Sequence, residues 1–285
     1  MSLRLDDTVA VITGASSGIG AATARALAER GAHVALLARR ADRLAALADE
    51  ITQHNHGKAV AYSVDVADAD AVRDVMTRVA ADFGRIDILV NGAGVGTWAP
   101  ALEAELADWQ AIVDVNVSGV LNTTHAALAH LVSAADGPRG IADVVTISSI
   151  AGKRVPGPNS NVYSATKFAV NGFSEALRQE LEMEGGRVSC TSVHPGGIKT
   201  NIARNARMAE GMEHITGDPE KARRDFEKMF RTTPDEAART ILKGVRGNKR
   251  RVLIGSDARA IDSMQRLMPT AYQRIMVAGQ KMMRK

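Results

Sequence analysis

The sequence predicts one α/β domain with a doubly wound, seven-stranded parallel sheet flanked by helices. Apolar runs of strand length alternate with longer helical patterns from the first residues to about Gly255, which is typical of repeated strand, helix, strand units. The chain has 285 residues, 45% of them hydrophobic, which is enough for one large core. Aromatic residues make up only 4%, which suits aliphatic helices packed on the buried faces of a parallel sheet. We expect the domain to occupy residues 1–256 and a basic amphipathic extension to occupy residues 257–285.

Four strands and three helices are predicted in the first third of the chain. The strands are the apolar runs at 8–13, 33–38, 58–64 and 86–90, and helical spacing covers 19–30, 42–53 and a segment between Asp68 and Gly84. Gly31 and Gly84 are expected to end their helices, because glycine is common just after a helix C-terminus. Asp68 is placed to cap the third helix.

The last three strands are more widely spaced. They are predicted at 142–147, 187–193 and 251–254, with a long helical region through Asn116 before the first of them and a helix at 164–183 before the second. An insert at 201–231 separates the last two strands, and its helix is indicated by Asp218 as cap and Pro219 at the first position. By the same signals, another helix starts at Thr233-Pro234.

A glycine-rich turn follows the first strand directly. A turn of this kind lets the backbone approach a pyrophosphate, while the N-terminus of the next helix supplies free N–H groups and partial positive charge. We therefore predict that the turn binds a dinucleotide through Gly14, Ser16, Ser17, Gly18, Ile19 and Gly20. The glycine spacing differs from the common G-x-G-x-x-G pattern, so the turn alone is a weak match.

A tyrosine and a lysine are positioned for proton transfer. Tyr163 and Lys167 are four residues apart, a spacing that in a helix places both side chains on one face. A neighbouring ammonium stabilises a phenolate and is expected to lower the pKa of Tyr163, making it a usable acid/base. Ser149 follows the fifth strand at the edge where ligands bind in open α/β sheets, and its hydroxyl can bond a substrate oxygen. Adjacent Ser148 is the alternative for that role.

Five short motifs follow predicted strands or lie in the helix after the fifth. They are Thr-Gly-x-x-x-Gly-x-Gly from Thr13, Asn91-Gly92-Ala93-Gly94 after strand four, Ser149 after strand five, Tyr163-x-x-x-Lys167, and Pro195-Gly196 after strand six. This ordered set resembles the short-chain dehydrogenase/reductase family, and the resemblance covers the chain to about Gly255. It implies a single Rossmann-type domain with seven parallel strands, in agreement with the pattern of apolar runs.

The resemblance also implies a reaction and its residues. The catalytic residues would be Asn116, Ser149, Tyr163 and Lys167. In the family the tyrosine gives a proton to a carbonyl oxygen as hydride leaves the nicotinamide, the lysine also holds the nicotinamide ribose, and the asparagine interrupts its helix and fixes a water linked to the lysine. The expected activity is the interconversion of a secondary alcohol and a ketone, or of an alcohol and an aldehyde. No metal site is predicted.

Further nucleotide contacts follow from the same resemblance. Asp65 corresponds to the family acid that contacts adenine, with helix capping as its alternative role, and the other implied contacts are Val66, Asn91, Ala93, Gly94, Pro195, Gly196, Ile198 and Thr200, beside Tyr163 and Lys167 themselves. His194 precedes the last of these segments and is interpreted as structural. The family is commonly dimeric or tetrameric, which implies a homodimer or homotetramer.

The end of the second strand predicts the choice of nucleotide. NAD sites usually place an acid there to bond the ribose 2′-hydroxyl, and that charge repels a 2′-phosphate. This chain has Arg39 and Arg40 instead, and a guanidinium can hold a phosphate with paired hydrogen bonds. NADP(H) is therefore the predicted cofactor, with NAD(H) as the alternative.

The insert at 201–231 is the predicted substrate loop. It carries Met208, Met212, Phe226, Met229 and Phe230, and flexible thioethers and aromatic rings can line an adaptable apolar pocket. A lipophilic small molecule is the predicted substrate. Two alternatives stay open: these side chains dock a helix on the core, or Lys153 and Arg154 recognise an anionic substrate.

Composition limits the location and the partners. The single cysteine, Cys190, excludes an internal disulfide or a cysteine-based metal cluster and is expected to be buried in a strand. The sequence shows no secretory signal and no apolar run of about 20 residues, so we expect a cytoplasmic protein. Residues 240–285 carry eleven Lys/Arg against two Asp within a net charge of +4. We expect this tail to cover the active site, or else to contact a second subunit, or, as the last choice, to lie on an anionic membrane. No nucleic-acid binding is expected.

Two other functions compete with this interpretation. One is a non-catalytic dinucleotide-binding protein, because fold alone does not establish activity. The other is a nucleotide-sugar epimerase or dehydratase, a class that shares Tyr-x-x-x-Lys. Such enzymes usually have a longer C-terminal substrate domain, for which little chain remains after Gly255.

Overall fold

The fold is centred on a seven-stranded parallel sheet. The structure is a computed structural model that describes residues 5–54, 57–98, 101–153, 160–200, 207–208 and 230–283. The sheet contains β1 (Val9–Thr13), β2 (His33–Ala38), β3 (Ala59–Ser63), β4 (Ile88–Asn91), β6 (Ala142–Ile147), β7 (Val188–Pro195) and β9 (Arg251–Ile254) in the order β3-β2-β1-β4-β6-β7-β9. All neighbouring strands in it are parallel. The predicted Rossmann-type fold is confirmed.

A second, very small sheet was not predicted. It pairs the two-residue strands β5 (Thr97–Trp98) and β8 (Arg207–Met208) in parallel. Two residues are too short for the alternating pattern that predicts a strand, so the sequence carries no signal for this pairing. β8 lies within the predicted substrate loop.

Helices cover both faces of the large sheet. They are α1 (Gly18–Ala28), α2 (Ala41–His54), α3 (Ala69–Phe83), α4 (Leu106–Val113), α5 (Gly119–Ala135), α6 (Asn161–Met183), α7 (Pro234–Arg246), α8 (Ser256–Leu267) and α9 (Ala271–Met283). One core cluster joins the sheet to α1, α2 and α7, and the other joins it to α3, α5 and α6. Neighbouring β1 residues alternate between them, Val11 in one and Ile12 in the other, because successive side chains of a strand point to opposite faces.

Helix ends follow the predicted signals closely. The Asp68 side chain accepts from Ala71 N at the start of α3, and Gly84 ends that helix in the left-handed conformation at φ 78°. Thr233 and Glu236 form a reciprocal capping box before α7. In contrast, α6 begins at Asn161, earlier than the predicted start at residue 164, and this places Tyr163 in its first turn.

The C-terminal extension is helical. It forms α8 and α9 on either side of Pro269, as the interrupted helical spacing predicts. Cys190 is buried within β7, also as predicted. The insert helix signalled by Asp218 and Pro219 lies outside the described residues. Within the described ranges, no helix is long and apolar enough to cross a membrane.

Candidate active site

The predicted site residues meet at the carboxyl ends of β1, β4 and β6. These strands are neighbours in the sheet although they are far apart in the chain. The chain winds outward from β1 to β3 on one side and from β4 to β9 on the other, so the order reverses between β1 and β4. In open α/β sheets a crevice forms outside the strand ends at such a switch point, and ligands bind there.

The glycine-rich turn is a close-packed backbone cradle. Gly14 has a φ of +68°, and a Cβ at this position would lie 2.6 Å from the Gly92 carbonyl oxygen. A Cβ at Gly20 would lie 2.5 Å from Gly14 O. Thr13 Oγ1 accepts from Gly92 N at 3.0 Å and from Ala93 N at 3.1 Å, which joins this turn to the loop after β4. No side chain would fit at Gly14 or Gly20, so the turn and the loop after β4 pack backbone against backbone.

The start of α1 is also suited to an anion. Ser17 precedes the helix in an extended conformation, and its side chain makes no capping hydrogen bond. No acidic residue lies in the first turn of α1. The free N–H groups and the positive end of the α1 dipole therefore face the glycine-rich turn, and no carboxylate in the first turn of α1 competes with an anion for them. Together with the cradle, this arrangement fits the diphosphate of a dinucleotide.

Asn116 connects the loop after β4 to α6. It lies in a π-helical turn, Asp114–Ser118, which separates α4 from α5 and is the predicted interruption. Its Oδ1 accepts from Val95 N at 2.9 Å, and its Nδ2 donates to Val95 O at 2.9 Å and to Thr166 Oγ1 at 3.1 Å. Both Oδ1 and Nδ2 of this buried asparagine are hydrogen-bonded to protein atoms, so they hold the junction rigidly.

Lys167 is buried and held by a strand-end carbonyl. Its Nζ donates to Ile147 O at 3.0 Å and lies 5.7 Å from the centre of the Tyr163 ring. A Cβ at Gly94 would lie 3.5 Å from the same Nζ, so the loop after β4 closes the lysine on another side. Burial lowers the pKa of Lys167 from 10.5 to about 8.

Tyr163 differs from the expectation in one respect. Burial raises the pKa of Tyr163, and a hydrogen bond with the Ser149 side chain opposes that rise only in part. The lowering expected from the Lys167 ammonium is not found, because burial lowers the pKa of Lys167 to about 8 and the lysine has lost its charge before the phenol titrates. The i to i+4 placement of the pair on α6 is as predicted.

Ser148 and Ser149 face different partners. The Ser148 hydroxyl donates to Lys167 O at 2.8 Å, so it fastens the end of β6 to the backbone of α6. Ser149 Oγ accepts from Ala151 N at 3.1 Å and is the hydroxyl bonded to Tyr163. The geometry therefore favours Ser149 over Ser148 as the hydroxyl available to a substrate.

The two arginines after β2 also face different partners. The Arg40 guanidinium donates to Ser16 Oγ at 2.8 Å and to Ser17 Oγ at 3.0 Å, directly on the glycine-rich turn. Arg39 is two-thirds exposed and lies 3.6 Å from an Asp65 carboxylate oxygen. The other carboxylate oxygen of Asp65 accepts from the backbone N–H of Ala67. Arg40 is thus the guanidinium in place beside the turn.

Two of the other predicted nucleotide contacts are largely interior. The Asn91 side chain is buried and bonds Thr123 and Thr124 of α5, which leaves only its backbone to face the cleft. Val66 is also buried, and its side chain would meet a Cβ placed at Gly119.

The segment after β7 lies against the glycine-rich turn. A Cβ at Gly18 would lie 3.1 Å from Thr200 Cγ2, while Ile198 is buried in the core. Gly197 N donates to the Asp257 carboxylate at 2.6 Å. The same carboxylate lies where a Cβ at Gly196 would be, so the first turn of α8 supports this segment from behind. Sequence reasoning missed Asp257; its only signal is an acid just beyond β9, at the same edge of the sheet.

Parts of the predicted substrate site can be placed. The Phe230 ring lies against the segment after β7, 2.6 Å from where a Cβ at Gly197 would be. Lys153 Nζ donates to Glu175 at 2.9 Å, so its charge is already paired. Met212, Phe226 and Met229 of the loop, as well as Arg154, lie outside the described residues. Within the described ranges, no group of His, Cys, Asp and Glu could hold a metal ion.

Known proteins resemble this chain in sequence and in structure. The profile of the short chain dehydrogenase family matches residues 8–211. SadH of Mycobacterium tuberculosis is 40% identical over 271 residues, which cover 95% of this chain and 94% of SadH. A Burkholderia phymatum short chain dehydrogenase/reductase in complex with NAD matches with a TM-score of 0.82 at 25% identity, over 93% of this chain and 95% of that one. A Burkholderia cenocepacia short chain dehydrogenase in complex with NADP matches with a TM-score of 0.74 at 31% identity, over 90% and 99%.

Proposed function

The chain belongs to the short-chain dehydrogenase/reductase family of NAD(P)-dependent oxidoreductases acting on CH–OH groups, and from this we propose that it interconverts a secondary alcohol and a ketone, or an alcohol and an aldehyde, with NADP(H). The observation that carries the proposal is the pair of half-buried Tyr163 and buried Lys167 on one face of α6, with Ser149 bonded to the tyrosine. These groups stand at the same sheet edge as the glycine-rich turn.

Each of these residues has a distinct role in the proposal. Ser149 Oγ holds the substrate oxygen, and the Tyr163 phenol gives that oxygen a proton or takes one from it. Lys167 would hold the nicotinamide ribose, and its pKa of about 8 keeps its ammonium largely protonated at neutral pH. Asn116 holds the loop after β4 against α6 through its hydrogen bonds to Val95 and Thr166. When bound, the nicotinamide supplies or accepts the hydride.

Arg40 supports NADP(H) over NAD(H). Its guanidinium already lies on two hydroxyls of the turn, and the three groups together present several donors to a 2′-phosphate. Arg39 contributes less in this proposal because Asp65 pairs with it and its side chain is mostly exposed. NAD(H) stays the alternative, since relatives have been solved with either nucleotide.

Paired nucleotide titrations test the choice of cofactor. Nicotinamide fluorescence would follow NADPH and NADH binding to wild type, Arg40→Ala and the matched control Arg39→Ala. Hydrogen bonds to charged groups contribute about 1.5–3 kcal/mol, so Arg40→Ala should weaken NADPH binding about 10- to 150-fold and leave NADH nearly unchanged. Arg39→Ala should have the smaller effect. Equal affinities of the wild type for both nucleotides would contradict the proposal.

A turnover assay tests the catalytic assignment. A panel of ketones, aldehydes and secondary alcohols would be screened by NADPH absorbance, with Tyr163→Phe as the variant that lacks the proton donor. We expect the variant to bind NADPH as wild type does and to lose at least a hundredfold in kcat, the usual effect of removing a general acid. Full activity of Tyr163→Phe would exclude the assignment. NADPH binding by the wild type without turnover on any panel member would favour the non-catalytic dinucleotide-binding function.

A lipophilic substrate is part of the same proposal. The Phe230 ring beside the segment after β7 supports it, and the pairing of Lys153 with Glu175 weakens the alternative of an anionic substrate. In the panel, kcat/KM should therefore rise with the apolar area of the carbonyl compound. A preference for short carboxylate-bearing substrates would contradict this part.

Self-association into a homodimer or homotetramer is also proposed. Three large apolar side chains on α4, α5 and α6 are about 40% exposed: Val113, Leu121 and Phe168. Exposed apolar groups on neighbouring helices are typical of subunit contacts. Light scattering should give a mass of two or four chains for wild type and a smaller mass for Leu121→Glu. A monomeric wild type would refute it.

A further inference from the structure

A completely buried histidine contacts the backbone of the active-site serine. His194, near the end of β7, has no exposed surface. Its Nδ1 lies 3.0 Å from the Ser149 carbonyl oxygen, and its Nε2 lies 3.0 Å from Ser192 Oγ. The two bonds use both nitrogens of the ring, and one of them ends on the residue whose hydroxyl bonds Tyr163.

The bonding partners determine which nitrogen carries the proton. A carbonyl oxygen can only accept, so Nδ1 must be protonated to bond Ser149. In a neutral imidazole Nε2 then has a free lone pair, which accepts the Ser192 hydroxyl proton. Ser192 Oγ also lies 3.0 Å from Asn171 Oδ1, and Nδ2 of the same amide donates to Glu175 at 3.3 Å. The Ser149 carbonyl keeps a proton on Nδ1 whichever of its two neighbours the Ser192 hydroxyl donates to.

The charges around the ring favour its neutral form. Lys153 and Arg251 face it as cations, and Glu175, which pairs with Lys153 and bonds Asn171, faces it as an anion. Burial is the main reason that the pKa of His194 is lowered to about 4, and the hydrogen bond to the Ser149 carbonyl opposes this effect. The two cations lower the pKa further, while Glu175 raises it. The ring is therefore neutral at pH 7.

Ser149 depends on this contact for its orientation. Its carbonyl oxygen accepts from Gly152 N at 3.0 Å as well as from His194, and its Oγ accepts from Ala151 N. Ser149 is extended, with φ −168° and ψ 165°, and precedes a single turn of 3₁₀ helix, Ile150–Gly152. One short turn fixes a residue weakly, because few hydrogen bonds hold it. The bond from the neighbouring strand β7 adds a rigid point of attachment.

We propose that His194 is a positioning residue of the active site, whose Nδ1–H bond to the Ser149 carbonyl holds the Ser149 hydroxyl beside Tyr163. This inference rests on the proposed role of Ser149. It assigns a function in catalysis to a buried group that touches neither substrate nor nucleotide. The alternative is a core histidine that contributes to stability only.

Two conservative variants separate the two ring nitrogens. In His194→Asn the amide NH2 can take the place of Nδ1 and keep the bond to Ser149, while the bond to Ser192 is lost. In His194→Gln the longer amide reaches the Nε2 position, so it keeps the bond to Ser192 and loses the bond to Ser149. With a carbonyl compound from the panel, we expect His194→Gln to lose about tenfold in kcat with an unchanged KM for NADPH, and His194→Asn to lose less than about threefold.

A second measurement needs no turnover. The protein has three tyrosines, so 3-fluorotyrosine labelling gives three ¹⁹F resonances, and Tyr163→Phe identifies that of residue 163. His194→Gln should shift this resonance, and His194→Asn should leave it in place. In ¹⁵N-histidine-labelled wild type, His194 should show a protonated Nδ1 and a bare Nε2 from about pH 5.5 to about pH 8.5.

The outcomes are distinguishable. Unequal effects of the two variants on kcat and on the fluorine resonance, with the stated tautomer, support the proposal. Equal effects, or a bare Nδ1 in the wild type, overturn it and leave a structural histidine. If both variants fail to fold, the wild-type spectrum still tests the proposal, because a bare Nδ1 overturns it. Absence of turnover with the expected spectra would refute the proposed reaction while leaving the positioning contact in place.

Discussion

Replacing Lys167 with methionine should stabilise the protein at neutral pH while abolishing turnover. Lys167 is buried, and the pKa of its ammonium falls from 10.5 to about 8 on folding. At about 1.4 kcal/mol per pKa unit, this lowering costs the folded state about 3 kcal/mol when the lysine is charged. Methionine has a similar length and no charge, so the variant avoids that cost.

A lost hydrogen bond offsets part of the gain. Lys167 Nζ donates to Ile147 O at 3.0 Å, and the variant leaves this buried carbonyl without that donor. Such a loss costs about 1–2 kcal/mol. The expected net effect at pH 7 is therefore a stabilisation of about 1–2 kcal/mol.

The sign of the effect should change with pH. Because the pKa is lower in the folded state, the unfolded chain binds the proton more tightly, and the cost is complete below about pH 8. Most of the cost disappears as the pH rises towards 10.5, where the folded lysine is neutral and the unfolded lysine is half neutral. The lost hydrogen bond is then the larger effect, so near that pH the variant should be less stable than wild type by about 1–2 kcal/mol.

Urea unfolding of wild type and variant at several pH values between 7 and 10.5 measures this difference. Taking the difference cancels the titration of all other groups. Lys243→Met, the same substitution at an exposed position of α7, is the matched control, because its side chain lies in solvent. A Lys167→Met difference that stays constant within about 0.5 kcal/mol from pH 7 to pH 10 would refute the reasoning from burial.

Two further substitutions test how the site is held in place. In Gly152→Ala the new Cβ would overlap Lys167 O and lie 2.5 Å from Ser148 Oγ, so we expect a loss of about 1–3 kcal/mol in urea unfolding and a larger fall in kcat than in NADPH affinity. Gly172→Ala, in an open position of α6, is its control and should gain about 0.5–1 kcal/mol; equal effects of the two would contradict the close packing at Gly152. Thr233→Ala removes a capping-box hydroxyl and should cost about 1 kcal/mol, whereas Thr233→Ser should not, and a stability loss shared by both would argue against the cap.

Much of the architecture could be predicted from neighbours in the chain. Alternating apolar runs, the glycine that ends α3 and the caps of α3 and α7 depend on contacts within about four residues, so they can be recognised in a sequence. The two-residue strands β5 and β8 could not be predicted, because their pairing joins segments that are distant in the chain and too short for a pattern.

The candidate site shows the same division. Position in the chain and helical spacing placed Tyr163, Lys167 and the glycine-rich turn at one edge of the sheet. The partners of individual side chains were decided by the register of strands that pair only in the folded chain. The pairing of β6 with β7, for example, brings Ser149 to His194 across 45 positions.

The sequence by itself determined the fold class, the family and the set of residues available for chemistry, because these follow from local patterns and their order. Only the tertiary structure decided that Arg40 rather than Arg39 lies on the turn, that Ser148 bonds the backbone of α6, and that burial raises the pKa of Tyr163. The physical reason is that hydrogen-bond choice and desolvation depend on atoms brought together from distant strands. Arg39 and Arg40, adjacent and of the same type, are therefore indistinguishable until the strands are packed.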